Sequence, residues 1–216
     1  TLNELYRGFR VGAIATRPNE NLGPERLKGM EAGVGFTRRR LALRATGWWS
    51  RLDDPVTNVT VGALERQRQN VGGVNGRGLE AEVVLWPASG LEWSGAVALT
   101  RSVFDDRLRP GIDGRDVPQV PVVQWSSRLR YGAAAGWVAL EVRGAGRQFE
   151  DDRNELPLRP FLAIDVAAGY RVARWAELLV SFENVGNTEI EVGRTPVPTI
   201  GLPRSVHVGV RVIAGR

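Results

Sequence analysis

Leu79-Glu80-Ala81-Glu82-Val83-Val84-Leu85-Trp86-Pro87-Ala88-Ser89-Gly90-Leu91-Glu92-Trp93, at the centre of the stretch 71–104, decides the fold. From Leu79 to Leu85 the odd positions are apolar, while Glu80 and Glu82 stand between them, so one face of the segment is greasy and the other polar. That period excludes a helix. Pro87-Ala88-Ser89-Gly90 turns the chain, and the return run sets Leu91, Trp93, Val97 and Leu99 against Glu92, Ser94 and Thr100. Two strands of about ten residues, with Trp86 and Trp93 beside the turn, have the length and flanking chemistry of strands that cross an outer membrane at a tilt. The pattern predicts a piece of transmembrane β-barrel.

Composition permits this without requiring it. A chain of 216 residues with 43% hydrophobic content suits a soluble or a barrel protein. It holds no run of eighteen apolar residues, which excludes a transmembrane helix but is silent on barrel strands. There is no cysteine, hence no disulfide framework, thiolate metal site or thiol nucleophile. The net charge of +5 comes from Arg interspersed with acidic residues, with Lys28 the one lysine, and this differs from the clustered basic and aromatic surface that binds nucleic acid. The chain opens at Thr1 with no export leader, so an upstream segment is expected.

The same hairpin pattern recurs. Residues 1–25 are polar and irregular and read as an extracellular loop region, with strands and loops occupying 26–213. Met30, Ala32, Val34 and Phe36 alternate with Gly29, Glu31, Gly33 and Gly35, and the chain returns after Arg38-Arg39-Arg40. Residues 52–70 show no period and read as a long loop. Further hairpins follow around residues 123–142 and 162–182, and Val206, Val208, Val210 and Val212 form a last strand, giving about nine in all. Connections alternate between short ones (near 39, 88, 134 and 174) and long ones (52–70, 105–121, 150–160, 187–203), as in barrels with short periplasmic turns and longer extracellular loops. Aromatic residues fall near both ends of the strands: Phe36, Trp86, Trp93, Tyr131, Trp137, Tyr170 and Trp175 by the short turns, and Trp48, Trp49, Phe104, Trp125, Phe149 and Phe161 by the long loops. They read as two interfacial belts. The fold class is therefore all-β, an antiparallel up-and-down transmembrane barrel segment. Single-chain bacterial barrels have an even strand number, so the whole chain, 1–216, reads as the C-terminal portion of a larger barrel.

At this point the chain resembles the C-terminal half of the barrel in TonB-dependent outer-membrane receptors. Thr1-Leu2-Asn3-Glu4-Leu5-Tyr6 is similar to the family's opening of this region, and Asn19-x-Asn21-Leu22-x-Pro24-Glu25 with Glu31 and Gly33 is its most recognisable signature. Asn70-Val71 before Gly78-Leu79-Glu80, Pro118-x-x-Pro121, Glu150-Asp151-Asp152-x-Asn154, Glu183-Asn184-Val185 and Pro203-Arg204 follow in the family's order. The resemblance implies a wall embedded in outer-membrane lipid, a plug domain and TonB as partners through an N-terminal part, and import of a small-molecule ligand such as an iron chelate or vitamin. It implies no cofactor and no chemistry of its own. Family barrels usually end on an aromatic residue, whereas this chain ends Val212-Ile213-Ala214-Gly215-Arg216. The alternative is a small self-standing outer-membrane barrel with a porin-like or enzymatic role.

No catalytic or metal residues are assigned. His207, the one histidine, falls on the polar face of the last strand, where lining the wall is the simpler role than acting as a base. Asp105-Asp106 and Asp151-Asp152 lack the spacing of a calcium loop. Gly76-x-Gly78-x-x-Ala81 leads into a strand, which rules out a dinucleotide fingerprint. The functional constellation is the polar face itself: Arg44, Glu80, Glu82, Arg128, Arg130, Glu141, Arg171, Glu183 and Arg211 facing the plug and lumen, with Trp48, Gln124, Arg143 and Asp165, nearer the long loops, as ligand candidates.

Overall fold

The computed structural model describes residues 5–213. Thr1 to Glu4 of the opening motif, and the terminal Ala214-Gly215-Arg216, lie outside the described residues. Nine strands form one sheet: β1 (Arg26–Arg38), β2 (Leu41–Asp53), β3 (Gly73–Ala88), β4 (Leu91–Phe104), β5 (Val123–Ala133), β6 (Gly136–Ala145), β7 (Phe161–Ala173), β8 (Ala176–Glu183) and β9 (Ser205–Val212). They pair in chain order, each antiparallel to the next. β1 and β9, the two edges, each pair on one side only.

Register carries the facing pattern across the sheet. Val34, Ala45, Ala81, Val97 and Trp125 stand opposite one another in a row, and Phe36, Leu43, Val83, Gly95 and Ser127 in the next. At the far edge, Val166, Phe182 and Val206 form another such row. A slip of one residue in any strand would turn its apolar set to the polar side. Among the described residues nothing packs over the apolar face, Val34 and Val208 each being 69% exposed. Its counterpart carries Arg44 opposite Glu82, Glu141 opposite Arg128, and Arg130 opposite Glu92.

The short connections are two residues each: 39–40, 89–90, 134–135 and 174–175. Ala88 already pairs with Leu91, so the central turn is Ser89-Gly90 alone and not the four residues from Pro87. Gly90 has φ +75°, and a Cβ there would come 2.1 Å from the Gly132 carbonyl oxygen, so only glycine fits beside the neighbouring turn.

Two sequence expectations change. Residues 56–70 form a hairpin, not an irregular loop, and so do residues 9–17: Phe9–Val11, Ile14–Arg17, Glu65–Asn70 and Val56–Gly62 make a separate four-stranded sheet at the long-loop end. Ile14–Arg17 runs parallel to Glu65–Asn70. The run Glu65-Arg66-Gln67-Arg68-Gln69-Asn70 is held by backbone pairing and polar contacts, with no apolar face to bury, so it has no hydrophobic period to read. The long-loop aromatic belt also thins. Trp49 and Trp125 lie on the apolar face, but Trp48 and Phe161 fall on the polar side by register. Phe104 is buried with Val71 and Ile112 under the loops, where Val59, Val74 and Val117 pack on it. Among the short-turn aromatics, Phe36, Trp93, Tyr131 and Tyr170 stay on the apolar face, while the Trp137 and Trp86 ring N–H groups turn to Glu177 and Glu92.

Candidate functional site

The polar face divides along the strands into three concavities. Near the long loops, Glu80 and Glu82 from β3, Gln124 and Ser126 from β5, and Arg143 from β6 meet Gln119, Gln148 and Phe161 around a groove of about 530 Å³. Alternation aims these side chains the same way, and small residues make the space: Ala96, Ala98, Gly144 and Ala145 line it too. Carboxylates, amides and a guanidinium thus converge on one open hollow, which can recognise a ligand bearing both donors and acceptors.

Below it, Arg128, Glu141, Arg143, Asp165 and Glu183 surround a second hollow of about 360 Å³. Arg143 Nε donates to Asp165 at 2.9 Å, and the other Asp165 oxygen accepts the Asn184 N–H at 2.7 Å. Asp165 is therefore committed to holding the wall. At the short-turn end, Arg130, Trp137, Arg171, Glu177 and Arg211 line a third hollow. Glu177 accepts from the Trp137 ring N–H at 2.9 Å and from Arg211 at 3.0 Å, and the Arg130 guanidinium lies 5.2 Å from the Trp137 ring centre.

The predicted residues sort by this map. Gln124 and Arg143 reach the outer groove, and Glu80 and Glu82, expected to face the plug and lumen, reach it as well. Asp165 lies one hollow deeper. Trp48 lies flat on the wall: a Cβ at Gly78 would come 2.5 Å from its indole and one at Gly76 3.1 Å from it, so the two glycines make its berth. Arg44 stands opposite Glu82 on the neighbouring strand and does not line the groove. Glu177 was missed although it alternates with Ser181 and Glu183; the two-residue turn places it in the strand. Gln119 and Gln148 lie outside the nine wall strands and carry no period. His207 is exposed on the polar face, 3.3 Å from Ser205 Oγ and 3.9 Å from Glu183. Among the described residues, no three His, Asp or Glu side chains converge as a metal site.

The acidic and Asn motifs tie loops together. Glu150 accepts from the Arg194 and Thr195 N–H groups and the Thr195 hydroxyl. Asp151 accepts from the N–H groups of Arg153, Glu155 and Leu156 in its own turn. Asp152 accepts from the Thr60 N–H and hydroxyl. Asn154 exchanges two bonds with the Asp116 backbone at 2.7 and 2.8 Å. Asn70 does the same with Gly23 inside the 19–25 signature, and Glu25 accepts the Val56 N–H. Asn184, 1% exposed and at φ 50°, bonds the backbone of Thr188 and Leu202.

Two loop carboxylates are strongly held. Arg51 donates to Asp105 at 2.6 Å and keeps its pKa below the ordinary carboxylate range. Burial pushes Asp106 up, but the N–H of Gly72, the guanidinium of Arg109 and the N–H of Leu108 outweigh that, and the net shift is downward.

A family model described as "TonB dependent receptor-like, beta-barrel" matches residues 1–187. Solved structures share the fold at low identity. The ferric yersiniabactin uptake receptor FyuA from Yersinia pestis aligns at 20% identity and TM-score 0.73, covering 87% of this chain and 30% of its own. The ferric citrate transporter FecA, unliganded, aligns at 13% and 0.75, covering 88% and 32%. BauA, the ferric preacinetobactin receptor from Acinetobacter baumannii, aligns at 18% and 0.71, covering 95% and 32%. The chain spans about a third of the length of these structures. No curated protein sequence matches it.

Proposed function

Because the chain belongs to the TonB-dependent receptor β-barrel family, we propose that it forms the C-terminal part of an outer-membrane receptor barrel. Its polar face would line the lumen against a plug and guide a scarce ligand inward with energy passed through TonB. The ligand class is an iron chelate, cobalamin or a similar compound. Iron chelates are the cargo named for FyuA, FecA and BauA. The observation that carries the reading is the outer groove, where Glu80, Glu82, Gln124 and Arg143 converge at the long-loop end. A ligand arriving from outside meets it before the deeper, self-paired hollows. No step of bond making is assigned to any residue; the wall binds and guides.

Uptake into cells making the full-length protein tests this. Radiolabelled ferric chelates and cobalamin are offered with and without TonB, to wild type and to a Gln124→Ala/Arg143→Ala variant. TonB-dependent uptake of one compound, with an apparent affinity about tenfold weaker in the variant at equal surface level, is expected. Uptake that ignores TonB, or a variant that transports normally, refutes the reading.

A further inference from the structure

The apolar face carries a second site. Arg77 in β3 and Arg101 in β4 stand directly opposite each other on that face, next to Trp49 of β2 and one residue pair above Leu79 and Leu99. Like charges facing across a strand pair repel. Both are exposed and, among the described residues, neither meets a carboxylate. At two other crowded positions the charges are answered. Arg51, two residues beyond Trp49 on the same face, is bonded to Asp53, Asn75 and Asp105. Glu141 and Asp165 also face each other, but Arg143 bonds Asp165 and Arg128 stands opposite Glu141. Arg77 and Arg101 thus present two free guanidiniums side by side where the hydrocarbon-facing band ends.

Past the Leu79 and Leu99 pair, the same face opens into an apolar groove of about 590 Å³, lined from β1 to β5. Its floor is small, with Ala81 and Gly95, and Phe36, Trp93 and Trp125 stand around it. A methyl at Gly95 would lie 3.4 Å from both Trp93 and Val83, ordinary contact, so glycine here answers no steric need and leaves the groove deeper. The Trp93 ring N–H donates to Ser127 at 3.0 Å and holds that wall in place. Ala81 lies four residues from Arg77 along β3, about 13 Å at strand rise. That separation matches a headgroup above an acyl chain.

We propose that Arg77, Arg101 and the groove below them form one site for a phosphorylated glycolipid of the outer leaflet, its phosphate shared by the two guanidiniums and one acyl chain in the groove. Arginine pairs bind phosphate through fixed forks of donors, and the shared anion removes their repulsion. The proposal rests on the reading above only in taking the long-loop end as the outside.

Native mass spectrometry of the full-length protein in detergent, titrated with bis-phosphorylated lipid A, with the same lipid stripped of phosphate and with phosphatidylglycerol, tests it. Wild type should retain the phosphorylated lipid at least tenfold more strongly than either of the others. Arg77→Gln/Arg101→Gln should abolish that preference, and Arg77→Lys/Arg101→Lys should keep part of it. Ala81→Phe, which fills the groove, should weaken retention of all lipid A forms. Equal retention by the Gln variant and wild type, or phosphatidylglycerol held as tightly as lipid A, overturns the proposal. TonB-dependent uptake by cells making the same wild-type and variant proteins separates the two readings: uptake without lipid preference sinks only the lipid site, and lipid preference without uptake sinks only the transport reading.

Discussion

The wall and the rim of loops above it are held together in opposite ways. In the wall, eight backbone ladders fix the register of nine strands, and side chains mainly decide which way each strand faces. In the rim, strands are short and it is side chains, Asn70, Glu150, Asp152, Asn154 and Asn184, that reach across and bond distant backbone. A ladder tolerates exchange of side chains that keep their face; a side-chain tie does not tolerate loss of its one oxygen or nitrogen. Stability of the wall should therefore follow facing, and stability of the rim should follow single polar atoms.

The largest expected effect attacks facing. Val210→Arg, on the apolar face of β9, should destabilise the protein by roughly 2–4 kcal/mol if it lies near the bilayer midplane, measured by denaturant titration of the full-length protein in lipid vesicles. A loss no greater than for polar-face changes would dissolve the contrast between the faces. Next comes the rim: Asn184→Ala removes the bonds to Thr188 and Leu202 and leaves their backbone groups unpaired, about 1–3 kcal/mol. Hydrogen exchange should show residues 184–202 opening while β3 and β4 stay protected; uniform loss of protection would mean that rim and wall are one cooperative unit.

A smaller effect is expected in acid. Asp105 and Asp106 have folded pKa values below their unfolded ones, so the stability they contribute is present above about pH 4 and fades as pH falls through the lowered values. Protection factors of the Gly72 and Leu108 amides, corrected for intrinsic exchange, should drop below that range while those of the wall hold. A drop on raising the pH instead would reverse the assigned sign. Smallest of all, Arg211→Gln removes an exposed guanidinium from Glu177, which keeps its bond from the Trp137 ring N–H, and should change stability by less than about 1 kcal/mol in the same titration. A change matching that of Val210→Arg would show that the neighbouring positions do not face different media.

The sequence made the wall legible because alternation repeats in every strand: the nine strands, their order and the polar face were readable from it. The rim was not. Glu65 to Asn70 has strand geometry with no apolar face, and Ile14–Arg17 pairs in parallel with a segment about fifty residues away, a contact no local pattern announces. The motifs were visible, but their role was not: Glu150, Asp152 and Asn154 look alike as solvated acid and amide, and only the fold shows each addressing a different loop. The outer groove was half legible. Gln124 and Arg143 were singled out by position along their strands, whereas Glu80 and Glu82, read only as facing the plug and lumen, line the same groove.

The five residues from Glu150 to Asn154 act as a junction in a network, with edges to residues 194–195, 60 and 116. In a network, removing a peripheral node loses one edge, but removing the junction splits the graph. A contact that pulls this one turn out of place thus releases three loops in a single event. The long-loop end is thereby tied so that a displacement at this one turn reaches all three partners together.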